Sequence, residues 1–200
     1  MSGGADRIIG LYRRHARLWA QRRDDRLIEA HWLDRFRELL PARPSVLDLG
    51  CGSGRPIARY LIENGCDVTG VDSAPEMIAL CRENLRQGDW RVADMRALSL
   101  ERSFDGIVPW DSFFHLGFDD QRRMFPIFGA HASPRAALMF TSGPAHGEAF
   151  GQFEGELLYH ASLAPEEYVS LLDSNGFEVM RHVADDPSCG RHTVWLARRR

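Results

Sequence analysis

The stretch Val46-Leu47-Asp48-Leu49-Gly50-Cys51-Gly52-Ser53-Gly54 constrains the fold of this chain more than any other. A short apolar run ends in glycines at alternate positions, and a helical spacing begins around Pro56 and continues to Glu63. A buried strand that turns through glycines into a helix is the building unit of a parallel α/β sheet. Gly50, Gly52 and Gly54 let the backbone turn sharply and admit a ligand where a Cβ would otherwise stand. The helix that follows points its first amides toward the same place.

The rest of the chain alternates in the same way. Apolar runs predict strands at 45–49, 68–71, 90–93, 105–109, 136–141, 177–183 and 192–197, and amphipathic spacing predicts helices at 55–64, 75–86, 119–131 and 165–175. Pro75 suits a first helical turn with Ser73 as its cap, and Gly176 suits a left-handed stop after the last helix. Two further amphipathic helices open the chain, one carrying Ile8, Leu11, Tyr12, His15, Leu18 and Trp19, the other ending near Pro41 and Pro44. The expected architecture is α/β: a Rossmann-like sheet with helices on both faces, preceded by a helical lid over 1–44. Residues 45–200 then form the ligand-binding domain. The segment from Ser142 to Ala164, rich in Gly and His, reads as a long irregular loop.

Glycine-rich loops also bind dinucleotides, and the spacing separates the two cases. The dinucleotide fingerprint is G-x-G-x-x-G, whereas here the third glycine comes one residue early and Arg55 occupies its place. Asp48, just before the loop, attracts an ammonium group better than a pyrophosphate. No Gly-Lys-Ser/Thr phosphate loop is present. Asp72 ends the next strand, where a carboxylate accepts hydrogen bonds from ribose hydroxyls. Asp94 ends the strand after that, placed for an adenine amino group, with Met95 placed to pack on the ring. Three acids at consecutive strand ends behind one glycine loop describe an amino-acid-bearing nucleoside site.

The segment 46–94 resembles the class I S-adenosylmethionine-dependent methyltransferases, whose glycine-rich first motif reads much like VLDLGCGSG. The resemblance implies seven strands, mostly parallel with the last antiparallel. It also implies S-adenosylmethionine as cofactor, held by Asp48, the Gly50–Gly54 backbone including Cys51 and Gly52, Asp72 and Asp94, with Trp110 lining the pocket. Ser73, Met77 and Met95 complete the expected cofactor contacts. Trp19 shares a helical face with Tyr12; the pair either packs in the core or folds over the cofactor, as lid aromatics do in similar small-molecule enzymes. The chemistry is in-line transfer from a sulfonium carbon to an oxygen or nitrogen nucleophile, with no metal.

A base is needed only where the acceptor must lose a proton, and His115, His146 and His160 are the candidates. Each also has a structural reading: His115 as a helix cap, His146 as an exposed loop residue, His160 as part of a strand edge. Phe113, Phe114, Phe150, Phe153 and Tyr159 read as aromatic lining for an acceptor. The stretch Val108-Pro109-Trp110-Asp111-Ser112 lacks the Asn/Asp-Pro-Pro-Tyr/Phe signature of enzymes that methylate DNA bases or glutamine. A formal net charge of −3 gives no basic field for nucleic acid; all 25 basic residues are scattered arginines. The expected acceptor is therefore a small molecule. A non-catalytic cofactor-binding module and a nicotinamide-dependent oxidoreductase are the competing readings, the second opposed by the glycine spacing.

No stretch approaches the roughly 20 apolar residues of a membrane span, and arginines and Asp6 interrupt the N-terminus before any signal-peptide core forms. Cys51, Cys66, Cys81 and Cys189 never form a C-x-x-C pair. These features together place the chain in the cytoplasm. They do not fix its oligomeric state.

Overall fold

The computed structural model describes residues 5–23 and 26–200. Met1 to Gly4, at the head of the stretch read for a signal peptide, lie outside the described residues. Strand β1 (Ser45–Leu49) is buried along nearly its whole length, as a central parallel strand is when helices cover both faces. It is flanked in the sheet by β2 (Asp67–Asp72) and β4 (Phe104–Val108), both parallel to it. Outside these lie β3 (Asp89–Val92) and β5 (Ala132–Ser142), also parallel to their neighbours. The antiparallel β9 (His192–Arg199) inserts between β5 and β8 (Phe177–Asp186), giving a seven-stranded sheet in the order β3-β2-β1-β4-β5-β9-β8. The strand order reverses between β1 and β4, so a crevice opens at their carboxyl ends, the place where open α/β sheets bind ligands.

Two apolar layers sandwich the sheet. On one face α5 (Phe118–His131) and α6 (Pro165–Ser174) build an aromatic cluster in which Phe113, Phe125, Phe128 and Tyr168 meet Phe140 and Trp195 of the sheet. The other face carries α2 (Ala30–Glu38), α3 (Ile57–Glu63) and α4 (Pro75–Asn84), packed on Val46, Val68, Val108 and Met139. Of the N-terminal helices, α2 belongs to this layer: Trp32 and Phe36 are buried, and Trp32 Nε1 donates to Asp186 at 2.8 Å. The other, α1 (Ala5–Arg22), packs on α4 through Ala16, Tyr12 and Trp19 and leaves helical geometry at His15.

The segment from Ser142 to Ala164 is not irregular. It forms an antiparallel hairpin, β6 (Gly147–Phe153) with β7 (Glu156–Ser162), closed by Glu154 and Gly155. Both turn residues have positive φ, 53° and 77°, the conformation of the two-residue turn that matches strand twist. The hairpin straps α1: Glu156 accepts from Arg14 and from His15, Glu154 pairs with Arg22 at 2.6 Å, and the rings of Phe153 and Trp19 meet edge-on.

Two smaller expectations are also corrected. Ser73 does not cap α4; the Asp72 carboxylate takes the Ala74 amide at 2.8 Å instead, because it stands at the strand end and already faces that amide. Helix α3 begins at Ile57 and not at residue 55, with Pro56 as its N-cap. Gly176 does stop α6 with φ of 81°.

Candidate cofactor and acceptor cleft

The glycine loop is built from inside. Val71 O accepts from the amides of Gly50 and Cys51 at 2.7 and 3.1 Å, tying the loop to β2. The Gly52 amide donates to Asp72 Oδ2 at 3.0 Å, Cys81 Sγ donates to Gly52 O, and Ser112 Oγ donates to Leu49 O at 2.6 Å. The first three loop amides are thus engaged within the protein, so the loop offers a ligand close approach more than free donors. A Cβ placed on Gly52 would meet nothing within 4 Å. That open space belongs to a cleft of about 1050 Å³, counted to its mouth.

Two carboxylates in the cleft wall are unusual. Asp48 is buried, and burial followed by the nearby Asp72 charge pushes its pKa up to about 7. Asp72 is pushed up to about 6 by burial, against the amides of Ala74, Gly52 and Ser73 that favour its charge. No cationic side chain among the described residues pairs with either. A buried carboxylate without a counter-charge is costly unless a ligand supplies one. An amino-acid nucleoside with an ammonium group, a sulfonium centre and ribose hydroxyls has the matching chemistry.

Met77, Met95 and Trp110 also line the cleft, as do Gly50, Cys51 and Ser73. Trp110 Nε1 is buried without a hydrogen-bond partner among the described residues, a donor left over for a ligand. Asp94 lines the cleft with Arg96 clamped on it, one guanidinium contact being 2.6 Å. Burial opposes its ionisation, but the hydrogen bonds from Arg96 outweigh that and hold its pKa below the ordinary carboxylate value. Gly54 is the one predicted contact that faces away: a Cβ there would stand 2.8 Å from Leu85 Cδ1, so this glycine serves loop packing. Trp19 packs on α4 and also lines the cleft.

The three histidines separate clearly. His115 lines the cleft and is buried; burial, reinforced by His160 and opposed by the Tyr159 carbonyl, pulls its pKa down to about 4. His160 stacks behind it, 4.9 Å from both His115 and Phe114, and does not line the cleft. His146 stacks on Phe118 away from the cleft. None of the five aromatic residues expected to line the acceptor pocket does so: Phe113 is in the core and Phe150 is largely exposed.

Four cleft residues carried no signal or an ambiguous one in the sequence. Tyr12 projects from α1, and its hydroxyl meets His115 Nε2 at 2.9 Å. Arg23 follows α1, lines the cleft and pairs with the fully buried Glu29 at 2.7 Å. Asp111 is held at φ of 49°, its amide on Thr141 Oγ1 and its carboxylate on His192, whose pKa it raises well above the ordinary value together with the Cys189 carbonyl. Ser112 completes the wall under Gly50. Strained backbone after a strand is where functional side chains collect, but a single sequence does not display φ.

The comparisons with known proteins agree with this geometry. Residues 46–134 match the methyltransferase-domain family model. Over that segment, a little under half of the chain, the protein is similar to the methyltransferase family. Among solved structures, the chain is similar to an S-adenosylmethionine-bound amino pentose methyltransferase from Micromonospora echinaspora, with a TM-score of 0.73, 20% identity, and coverage of 93% of this chain and 96% of that one. It is also similar to a 1,6-didemethyltoxoflavin N1-methyltransferase from Burkholderia thailandensis, with a TM-score of 0.71, 20% identity, and coverage of 98% and 86%. The fold is that of the class I methyltransferases, including the antiparallel last strand.

Curated relatives are similar over part of the chain. A malonyl-[acyl-carrier protein] O-methyltransferase from Enterobacter lignolyticus is 41% identical over 69 residues, 34% of this chain and 27% of that protein. A demethylmenaquinone methyltransferase from Thermotoga maritima is 34% identical over 102 residues, 48% of this chain and 43% of that protein. The likeness thus spans less than half the length of these relatives.

Proposed function

We propose that this chain transfers a methyl group from S-adenosylmethionine to an oxygen or nitrogen of a small-molecule acceptor. One observation carries the reading: Asp48, buried, and Asp72, half-buried, both without counter-charges, flank an open glycine loop at the sheet's switch point. The cofactor supplies an electrophilic methyl group on a positively charged sulfur. Asp48 attracts its ammonium group, Asp72 accepts from ribose hydroxyls, and Asp94 with Met95 receives the base. Trp110 lines the cleft beside them, and Tyr12 and Trp19 close it from above and exclude water.

A small acceptor fits the size of the cleft and the formal net charge of −3. No group of three or more His, Cys, Asp or Glu among the described residues is arranged to hold a metal, and direct transfer does not call for one. No helix among the described residues is long and apolar enough to cross a membrane.

The reading is tested by incubating the protein with methyl-labelled S-adenosylmethionine and fractionated small-molecule extracts. Label should enter a small-molecule fraction and S-adenosylhomocysteine should accumulate. Tight cofactor binding with no label transferred to any fraction would favour the non-catalytic module instead.

A further inference from the structure

We propose that Tyr12 and His115 form a proton relay, and that the acceptor is therefore a hydroxyl compound. The inference rests on the methyltransferase reading and names the substrate class of the same cleft.

The direction of the relay follows from the hydrogen bonds. His115 Nδ1 lies 2.8 Å from the Tyr159 carbonyl, which only accepts, so Nδ1 carries the ring proton. Its Nε2 is then an acceptor, and the Tyr12 hydroxyl at 2.9 Å donates to it. Burial, with Asp111 and Asp72 nearby, raises the Tyr12 pKa, so that hydroxyl keeps its proton at rest. Both side chains line the cleft, beside Asp111 and Ser112. The Tyr12 oxygen can still accept a hydrogen bond, and an acceptor in the cleft can make it.

The step balances without any further reagent. The acceptor oxygen bonds the incoming methyl carbon while sulfur keeps the electron pair of the breaking bond. The acceptor's proton passes to Tyr12 Oη, and the Tyr12 proton passes to His115 Nε2, leaving a neutral ether and an imidazolium. The Asp111 carboxylate favours that imidazolium. A weak base is sufficient for a hydroxyl, because alkylation turns the oxygen into a strong acid as the bond forms. A neutral alkyl amine gains far less acidity: its methylated product, an alkylammonium, keeps the proton at neutral pH and has no use for this base.

Tyr12→Phe keeps the ring packed against α4 and removes the relay. His115→Asn keeps a donor for the Tyr159 carbonyl and removes the base. Catechol, phenol, cyclohexylamine and benzylamine serve as probe acceptors with labelled S-adenosylmethionine, alongside ¹⁵N NMR of His115 in the S-adenosylhomocysteine complex. The relay predicts transfer to hydroxyl probes, with kcat about 100-fold lower in either variant and cofactor KM within about threefold. It also predicts a neutral His115 with its proton on Nδ1, whose Nε2 resonance moves in Tyr12→Phe. Three results would overturn it: a His115 protonated or carrying its hydrogen on Nε2 at neutral pH, kcat unchanged in Tyr12→Phe, or no hydroxyl product from wild-type protein that binds the cofactor. Failure of the wild-type protein to bind S-adenosylhomocysteine would instead contradict the methyltransferase reading.

Discussion

Asp72 Oδ2 accepts the Gly52 amide at 3.0 Å while Asp72 Oδ1 accepts the Ala74 amide at 2.8 Å, so one carboxylate fastens the glycine loop to the start of α4. The same carboxylate faces the cleft with a raised pKa and no cation. The proposed ribose contact therefore falls on a residue that also anchors the loop.

Replacing Asp72 should remove both. Asp72→Ala is expected to weaken cofactor binding by about 1–3 kcal/mol, the cost of losing a charged acceptor for two hydroxyl donors. Asp72→Asn keeps one acceptor oxygen and should lose less. Calorimetric titration of both variants with S-adenosylhomocysteine checks this, and unchanged affinity in Asp72→Ala would refute the ribose assignment.

The raised carboxylates make cofactor binding depend on pH. With Asp48 near 7 and Asp72 near 6 in the free protein, both are partly protonated just below neutrality. A cationic ligand favours their ionised forms, so binding releases protons and affinity falls as pH drops through that window. The fall should approach about tenfold per pH unit for each proton released. Folding responds with the opposite sign. Unfolded carboxyls titrate near about 4, so between there and 7 the native state binds more protons, and the free protein loses stability as pH rises. Thermal melts at pH 5 and 8 with and without S-adenosylmethionine should show the larger ligand shift at pH 8.

Gly50 and Gly52 should respond differently to the same substitution. A Cβ on Gly50 would stand 2.3 Å from Ser112 Cβ, at φ of 74°. Gly50→Ala is therefore expected to destabilise the protein by about 1–3 kcal/mol or more, through overpacking in a buried turn. A Cβ on Gly52 has open space and meets only the strain of φ 55°, about 1 kcal/mol. Gly52→Ala should fold nearly normally and lose cofactor affinity, because the methyl group occupies the cleft. Chemical denaturation and calorimetry on the two variants separate these effects.

The sheet was legible because its strands are short, apolar and bounded by glycine, proline or acids. β1 falls exactly where Ser45 to Leu49 predicts it, and the other expected strands differ from the structure only in their ends. β5 begins at Ala132, before the apolar run that signals it, because Ala132 already pairs with Phe104 of β4, while Pro134 and Arg135 lie in a bulge with Arg135 at φ of 68°. The hairpin was not read because Gly147, Gly151 and Gly155 interrupt its alternation and both its strands are half exposed. Its one usable signal was Glu154-Gly155, a two-residue turn with glycine second.

The acidic wall of the cleft was equally legible, since Asp48 in β1, Asp72 at the end of β2 and Asp94 just past β3 follow from chain spacing alone. The wall around Tyr12, His115 and Asp111 was not. Tyr12 reaches His115 across 103 positions of sequence, and Asp111 reaches His192 across 81. Such pairs are made by the placement of α1 and β9, not by any local pattern.

Titration calorimetry of the wild-type chain with S-adenosylhomocysteine, and separately with NAD, tests the central claim most directly. The uncompensated carboxylates at the glycine loop predict one saturable site for S-adenosylhomocysteine, lost in Asp48→Asn, and no measurable heat with NAD. No binding of S-adenosylhomocysteine, or binding of NAD at that loop, would contradict it.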